Sequence, residues 1–286
     1  PISGWLDADH LNCEHTLAMI AFAANSLLCR LALRDGHIDA ATFTLLRIAA
    51  GALALYLIVR FRAGKGGLRG DWLSAVALFV YAAGFSFAYL SLPAGVGALL
   101  LFGAVQATMI GYGLWSGERL RPAQTGGLLL ACLGVIALML PGLSAPPLGG
   151  ALLMALAGIA WGVYSLRGRG IGNATASTAG NFARALPLAA ILGLPMLGQA
   201  TVDTAGIIYA LASGALASGL GYAIWYAALP GLKAANAATV QLSVPVIATL
   251  GAAVFLDEVI TLALVLSSLA VLTGIGMVVL GRRAKG

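Results

Sequence analysis

Two apolar stretches that both stop at an acidic residue decide the fold of this chain: SVPVIATLGAAVFLDE (Ser243–Glu258) and GAVQATMIGYGLWSGE (Gly103–Glu118). A carboxylate costs little where a helix meets the membrane surface and much at the centre of the bilayer. An apolar run that ends at an acid is therefore typical of a helix that crosses a membrane and stops at the interface. The shared ending predicts that Glu118 and Glu258 mark equivalent helix ends in two related halves.

The composition of the whole chain indicates the same class of protein. Hydrophobic residues fill 60% of the 286 positions, charged residues fill only 9%, and the mean hydropathy is +0.97. A soluble domain of this size needs more charge to cover its surface. Apolar runs of about 20 residues, long enough to cross a bilayer as helices, recur along the chain, and they lack the alternation of barrel strands. We predict an all-α integral membrane protein with ten transmembrane helices, near residues 15–33, 39–60, 72–91, 94–116, 123–140, 148–166, 175–197, 205–228, 234–256 and 260–280.

The basic residues follow a regular pattern along the loops. The net charge is +6, and most Lys and Arg residues lie after the even-numbered predicted helices and at the C-terminus. Basic loops stay on the cytoplasmic side of a membrane, so both the N- and C-termini are predicted to be cytoplasmic. The Ala- and Gly-rich, Lys-poor composition points to a bacterium, and we expect a multi-pass protein of the cell inner membrane. The lipid bilayer explains the positive charge, which does not indicate a nucleic-acid partner.

Comparison of the chain with itself indicates an internal repeat. Two offsets, 137 and 140, align rare residues in the same order: Arg47 with Arg184, Pro93 with Pro230, Glu118 with Glu258, and Gly134 with Gly274. Five helices in each half is an odd number, so the second half would enter the membrane with inverted topology. The predicted organisation is an N-terminal tail (1–14), a first five-helix repeat (15–140), an outside linker (141–147), a second repeat (148–281) and a basic C-terminal tail (282–286).

An inverted repeat favours a secondary transporter. Two similar halves that face opposite ways can exchange conformations, which opens a central site first to one side of the membrane and then to the other. A membrane enzyme or a non-transporting scaffold is an alternative, but neither needs this symmetry. The catalytic motifs HExxH and G-x-S-x-G are absent from the sequence. We predict that the protein is not an enzyme and needs no cofactor and no metal.

The chain resembles the drug/metabolite transporter superfamily in its ten-helix form with two EamA-type repeats. The resemblance covers the chain from about residue 15 and is carried by Arg47 and Arg184, by the glycines Gly134 and Gly274, and by four segments: LPAGVGALL (92–100), LPGLKAANAATV (229–240), SGERL (116–120) and LDEVI (256–260). Asp257 stands where the family pattern has a small residue, which puts the equivalence of the two helix ends in question. Within the superfamily the chain looks most like the YddG-type aromatic amino-acid exporters.

Two arginines lie inside predicted helices, where an unpartnered charge is costly. One interpretation is that Arg47 and Arg184 recognise a substrate carboxylate, which a guanidinium can bind with two hydrogen bonds. The other is a structural clamp on backbone carbonyls or on an acid at a helix end. We favour the structural interpretation, because the pair is symmetric and a single substrate is not. Pro245 is expected to interrupt the ninth helix. The predicted gating or structural residues are Arg47, Arg184, Glu118, Glu258 and Pro245.

Aromatic and amide side chains predict a central binding site. Tyr81, Phe85 and Tyr89 are spaced by four residues and share one face of the third helix. Such a stripe is also typical of packing or of an interfacial belt, and a lone amide is also typical of a bond between helices. The predicted substrate-binding residues are Asn25, Tyr81, Phe85, Tyr89, Gln106, Trp161, Tyr164, Tyr222, Gln241 and Ser243.

These features together predict export of small amphipathic metabolites, with aromatic amino acids first, by alternating access through a central cavity. All ten acidic residues lie in loops or at predicted helix ends, so no carboxylate is placed to relay protons at mid-membrane. We therefore expect facilitated transport. The alternative substrate class is a drug or an organic cation carried by the same fold. The expected partners are a small-molecule substrate and the bilayer, and a monomer is plausible although the sequence leaves the oligomeric state open.

Overall fold

The computed structural model describes residues 3–63, 67–140, 145–169, 171–196, 198, 200–228 and 240–281. Within these ranges, residues 3–14, 62, 63, 196 and 226–228 are described by their backbone alone. The regular structure of this part of the chain is helical, and its single antiparallel bridge joins Ile38 to Val202. The predicted all-α class agrees with this architecture.

The helices, labelled in chain order, agree with most of the predicted segments. They are α1 (Ser3–Arg34), α2 (Ala40–Ala63), α3 (Trp72–Ala88), α4 (Ala94–Trp115), α5 (Pro122–Met139), α6 (Leu148–Arg167), α7 (Ala174–Gly193, then a 3-10 turn over Leu194–Met196), α8 (Thr204–Leu211, a π-helical segment Ala212–Leu220, and Gly221–Ala228), α9 (Ser243–Phe255) and α10 (Leu262–Gly281). Most of the segment predicted as an N-terminal tail is therefore helical. Residues 234–239, where we predicted the ninth helix to begin, lie outside the described ranges.

Many of these helices are suited to a membrane. In the described ranges, seven spans are long and apolar enough to cross one, and α3 and α9 are shorter apolar helices. Large apolar side chains face outward, such as Leu133 on α5, Leu152 on α6 and Val254 on α9, which are 62%, 61% and 72% exposed. So much exposed apolar surface fits lipid contact and not water. The chain is a multi-pass membrane protein, and the count of ten crossings stays a prediction.

Polar side chains fix where several helices begin. The carboxylate of Asp71 accepts from the N–H of Ser74 at the start of α3, and that of Asp203 accepts from the N–H of Gly206 at the start of α8. Asn173 caps α7 in the same way. An N-terminal side-chain acceptor satisfies an N–H that the helix itself leaves unpaired.

Helices α4 and α9 end with the same kind of backbone turn. Gly117 has a φ of +91° and Asp257 has a φ of +53°, and each directly precedes the terminal acid of its segment. A positive φ suits glycine, and Asp is among the few other residues that adopt it at low cost. The substitution of Asp for a small residue therefore leaves the turn in place.

The helix packing places a central space within the bundle. Helix α3 packs along α6, α1 packs along α8, and α4 and α9 pack on α6 and α1 respectively. Helices α2 and α7 pack together, as do α5 and α10. The side chains that α1, α3, α4, α6 and α8 direct inward meet in the middle of this arrangement.

Candidate functional site

Aromatic side chains of α3, α6 and α8 meet at the centre of the bundle. The ring centroid of Trp161 lies 4.8 Å from that of Tyr81, 5.0 Å from that of Tyr222 and 5.2 Å from that of Tyr164. The ring of Phe85 lies 5.6 Å from that of Tyr81. Ring pairs at these distances attract one another and bury a large apolar area. The spacing by four on α3 thus places Tyr81 and Phe85 on the face that meets α6.

A small cavity lies within this cluster. Its lining combines these rings with residues of α1 and α4 and with a helical residue two positions before α9: Phe22, Asn25, Tyr81, Phe85, Leu101, Phe102, Trp161, Tyr222 and Gln241. Its volume is about 20 Å³, which is room for about one water molecule. An aromatic side chain does not fit in this conformation. We call this space the central cavity.

A hydrogen-bonded network of polar side chains lies beside the central cavity. Nδ2 of Asn25 donates to the hydroxyl oxygen of Tyr81 at 3.3 Å, and Nη2 of Arg47 donates to the same oxygen at 2.9 Å. The hydroxyl of Ser213 donates to Oδ1 of Asn25 at 2.6 Å. Buried polar groups of a membrane protein have to find partners within the protein. This network links α1, α2, α3 and the π-helical segment of α8.

Arg47 carries a buried positive charge at the edge of this network. Only 2% of its surface is exposed. Its Cζ lies 5.2 Å from the ring centroid of Tyr81 and 4.7 Å from that of Phe85, which are cation–π distances. Within the described ranges its Nη1 has no hydrogen-bond partner, and no acidic side chain forms an ion pair with it. The guanidinium therefore holds charge that the described residues do not neutralise.

One end of the bundle, where α1 and α9 finish and α4 starts, is held by a partly buried ion pair. We call it the Glu258 end. Nε of Arg30 lies 3.2 Å from Oε1 of Glu258, and the two side chains are only 14% and 15% exposed. Oε2 of Glu258 accepts from the backbone N–H of Ala94 at 2.7 Å, and Nη1 of Arg30 donates to the carbonyl of Tyr89 at 2.8 Å. These bonds join α1, α9 and the α3–α4 turn.

A larger cavity of about 410 Å³ opens at the Glu258 end. Residues of α1, α4 and α9 and of the adjoining loops line it, among them Arg34, Thr249 and Asp257. Its described lining residues differ from those of the central cavity. Tyr89 contacts residues of both linings: its ring packs 4.8 Å from that of Phe85, and its carbonyl accepts from Arg30. The two cavities share no described lining residue.

The other end of the bundle, where α3 and α7 start and α6 finishes, has a more exposed ion pair. We call it the Asp71 end. Nη2 of Arg167 lies 2.8 Å from Oδ1 of Asp71, and its Nε donates to the hydroxyl of Ser74 at 3.0 Å. Partial burial acts to raise the pKa of Asp71, but the hydrogen bonds from Ser74 and Arg167 outweigh it and lower that pKa to about 2. The side chains of Arg167 and Asp71 are 37% and 45% exposed.

The structure brings together most of the predicted substrate-binding residues. The central cavity is lined by Asn25, Tyr81, Phe85, Trp161, Tyr222 and Gln241. Tyr89 packs on this cluster from the Glu258 end, and Tyr164 packs on it from the Asp71 end.

Two of the predicted substrate-binding residues lie elsewhere. Gln106 is buried on α4 but does not line the central cavity. The hydroxyl of Ser243 donates to the carbonyl of Val240 at 2.7 Å, and it serves the start of α9. The depth of a polar residue along an apolar helix does not show which neighbouring helix its side chain faces. The sequence therefore could not distinguish Gln106 and Ser243 from the residues that line the central cavity.

The predicted gating or structural residues fall into different environments. Nη1 of Arg184 donates to the carbonyls of Arg69 and Gly180, at 2.9 and 3.0 Å, so it clamps the start of α3 to α7. Glu118 is exposed at the end of α4, whereas Glu258 forms the ion pair described above.

Pro245 lies in the first turn of α9. A turn at Leu242 separates α9 from the helical residues Val240 and Gln241, so the predicted ninth helix is broken just before Pro245. Proline has no N–H to donate to the carbonyl four residues earlier, which fits this break.

Some lining residues were not predicted. Phe22 lies three residues before Asn25 on α1, so the two share a helix face, and this spacing is a signal that could have identified it. Leu101 and Phe102 lie in an apolar stretch of α4. Nothing in such a stretch distinguishes residues that line a cavity from residues that only pack.

Known proteins share both the sequence pattern and the fold. The EamA-like transporter family matches residues 148–280. The uncharacterized protein PA1977 of Pseudomonas aeruginosa is 57% identical over 273 residues, which cover 94% of this chain and 95% of that protein. A crystal structure of another protein, 19% identical, shares the fold with a TM-score of 0.66 over 96% of this chain and 99% of its own. The chain therefore belongs to the same family as PA1977, and its second half is a domain of the EamA-like transporter family.

Proposed function

We propose that this protein is a secondary transporter that exports small amphipathic metabolites, with aromatic amino acids as the leading candidates, by alternating access. The observation that carries the proposal is an aromatic central cavity closed at both ends of the bundle by contacts of different strength. The rings of Tyr81, Trp161 and Tyr222 suit a flat apolar side chain. Asn25 and Gln241 add hydrogen-bonding groups to the same lining. Such a mixture of apolar walls and few polar groups is typical of small-molecule sites.

The proposed mechanism uses two inverted five-helix repeats that cross the membrane ten times. The main helix-to-helix contacts stay the same when the halves are exchanged. Helix α3 packs on α6 as α8 packs on α1, and α4 packs on α6 as α9 packs on α1. Each of α2, α4 and α5 also packs on its own counterpart, α7, α9 and α10. Packing of this kind supports inverted repeats, because each half then meets the other through equivalent surfaces.

The crossing of α5 and α10 supports the repeat at the level of single residues. A side-chain carbon added at Gly134 would lie 3.0 Å from the carbonyl oxygen of Ser267, and one added at Gly274 would meet the carbonyl of Gly127. The offset of 140 that aligns Gly134 with Gly274 also aligns Gly127 with Ser267. The two contacts are therefore the same contact made once from each half. Small residues allow helix backbones to approach this closely.

We place the protein in the bacterial cell inner membrane with both termini in the cytoplasm. The support is the excess of Lys and Arg in alternate loops. This orientation puts the Asp71 end on the cytoplasmic side and the Glu258 end outside. Seven acidic residues of the described ranges lie at helix ends or in loops: Asp35, Asp39, Asp71, Glu118, Asp203, Asp257 and Glu258. Asp7, Asp9 and Glu14, which we expected in a tail, lie within α1 but precede its membrane-length span, which begins at His15. Their position supports facilitated transport without a titrating carboxylate inside the membrane.

Transport by purified protein in liposomes tests the proposal. We expect labelled phenylalanine to cross down its gradient, faster when unlabelled phenylalanine is present on the other side. Trp161→Ala should slow this exchange because it removes the ring at the centre of the cavity. Trp115→Ala is the matched control, since Trp115 is 86% exposed at the end of α4, and it should leave exchange unchanged.

Two outcomes would contradict parts of the proposal. If neither phenylalanine nor a quaternary ammonium probe crosses the bilayer, the protein is not a transporter of this kind. If a proton gradient alone drives concentrative uptake, the facilitated mechanism is wrong although transport itself stands.

A further inference from the structure

We infer that Arg47, which donates to the cavity-lining residue Tyr81, recognises the substrate and that the transported substrate carries a carboxylate. The inference rests on the proposed function and narrows it, because it selects carboxylates over organic cations. It also reverses the structural role that we expected for Arg47 from the symmetry of the two arginines.

The charge of Arg47 is buried without an acidic partner among the described residues. A guanidinium with 2% of its surface exposed has lost its hydration, and such a charge is costly unless it is paired. The described residues give it the Tyr81 hydroxyl and two aromatic faces, but no acidic side chain. An anionic group from a substrate would supply the missing partner.

The hydrogen-bond donors around the Tyr81 hydroxyl are placed where a carboxylate could accept from them. Two donors from different helices, Nη2 of Arg47 and Nδ2 of Asn25, converge on the Tyr81 hydroxyl oxygen at 2.9 and 3.3 Å. Nη1 of Arg47 is buried and has no partner among the described residues. A carboxylate that displaces the Tyr81 hydroxyl would accept from Asn25 with one oxygen and from both arms of the guanidinium. This forked arrangement is the one in which Arg binds carboxylates most strongly.

The rings and the charge of Arg47 disfavour a cationic substrate in the central cavity. Aromatic rings can bind an organic cation through their faces, but the faces of Tyr81 and Phe85 already meet the guanidinium of Arg47. No acidic side chain lines the described part of the central cavity. A cationic substrate would therefore lie near a buried like charge with no counter-charge, which disfavours binding. The rings that do not meet Arg47, Trp161 and Tyr222, stay available for an apolar side chain.

Arg184 provides the matched control. It is the residue that the 137-residue offset aligns with Arg47, but two backbone carbonyls hold it at the Asp71 end. Neither arginine is among the described residues that line the central cavity. Arg47 donates to Tyr81, which does line it, whereas Arg184 donates to the carbonyls of Arg69 and Gly180, which do not. A substitution of Arg184 removes a positive charge from an equivalent helix without changing the proposed carboxylate site.

Calorimetry and liposome transport with four probes test the inference: phenylalanine, 3-phenylpropionate, phenylalanine amide and 2-phenylethylamine. The wild-type protein should bind and transport the first two and should discriminate against the amide and the amine. Arg47→Gln should weaken binding of both carboxylates by about 10- to 100-fold, the size expected for a lost charge-assisted hydrogen bond. Arg47→Lys should retain part of the preference, and Arg184→Gln should keep all of it.

The outcomes separate this inference from the proposed function. If the wild-type protein transports the amine as well as phenylalanine, or if Arg47→Gln keeps the carboxylate preference, the inference is wrong and the transporter stands. If no probe crosses the bilayer, the proposed function fails, and calorimetry on the same protein still decides carboxylate recognition. Binding of none of the four probes would overturn the inference. Should Arg47→Gln fail to fold, the probe preference of the wild type and its change in Arg47→Lys decide the question.

Discussion

At the crossing of α5 and α10, residues aligned by the 140-residue offset make matching contacts, whereas at the two ends of the bundle residues aligned by the 137-residue offset have different partners. Gly134 and Gly274 each approach a carbonyl of the facing helix. Arg30 and Arg167 are related by the same 137-residue offset as the two intrahelical arginines. Arg30 forms a partly buried pair with Glu258, but Arg167 forms an exposed pair with Asp71.

The difference between these regions separates a fixed part of the molecule from a variable part. A close glycine crossing has one arrangement, because a shift would bring backbone atoms into collision. Ion pairs at helix ends have alternatives, since long side chains near the membrane surface can exchange their partners for water. In the proposed alternating-access mechanism, we expect the α5–α10 crossing to stay the same in both conformations and the two ends to differ between them.

The largest expected effect is at the crossing. Gly274→Leu should destabilise the folded protein by about 3 kcal/mol or more, because the added side chain meets the carbonyl of Gly127. Gly276→Leu is the control, since a side-chain carbon there meets nothing within 4 Å. The thermal unfolding midpoints of the detergent-purified proteins check this. Equal midpoints for the two variants would show that the crossing is not close.

A smaller effect is expected at the Glu258 end. Glu258→Gln leaves Arg30 partly buried without its charged partner, which should weaken this end by about 1.5–3 kcal/mol. Cys29, fully buried on α1 one residue before Arg30, should then react with maleimide at least about tenfold faster, since 1.4 kcal/mol corresponds to a factor of ten. The measurement uses a background in which Cys13 and Cys132 are Ser.

The control for Glu258→Gln is the equivalent change at the other helix end. Glu118→Gln alters an exposed side chain, so water screens its interactions and Cys29 labelling should change by less than about twofold. Faster labelling in Glu118→Gln than in Glu258→Gln would reverse the assignment of the two ends.

At the Asp71 end, loss of the ion pair should lower the stability less than it does at the Glu258 end. Asp71→Asn removes an ion pair whose partners are 45% and 37% exposed, and such pairs contribute about 0.2–1 kcal/mol. We expect a lowered unfolding midpoint, and also slower transport if this end has to close in each cycle. In the double variant Asp71→Asn with Arg167→Gln, the loss of stability should not exceed the sum of the losses in the two single variants. A loss as large as that of Glu258→Gln would remove the distinction between the ends.

The smallest expected effect is a dependence of the folded protein's stability on pH. The pKa of Asp71 falls from an ordinary 3.8 to about 2 on folding, so its charge stabilises the folded state fully above the higher value. That contribution is lost as the pH falls through about 2. The stability difference between wild type and Asp71→Asn should therefore be constant above about pH 5 and shrink steadily below pH 4. A difference that stays constant down to pH 2 would mean that Asp71 is not held by Ser74 and Arg167.

Particular residues show how much of this could be predicted from the sequence. The apolar runs and the spacing of Tyr81 and Phe85 depend only on helix geometry, and both predictions agree with the structure. Leu101 faces inward because of the helices that pack against α4. The sequence around Leu101 does not indicate which helices these are. The two arginines look equivalent in sequence, but Arg47 is buried among rings while Arg184 meets carbonyls. Tertiary contacts that differ between the halves decide this difference.

The π-helical segment of α8 has a consequence for how the network and the cavity are connected. It begins beside Ser213, which bonds Asn25, and it ends just before Tyr222, which lines the central cavity. Each residue added to or removed from a helix rotates the remainder of that helix by about 100°. If this segment tightened to ordinary α-helical winding, Ser213 and Tyr222 would no longer face α1 together. Winding and unwinding of one helix would then turn an aromatic wall of the cavity without moving the rest of the bundle.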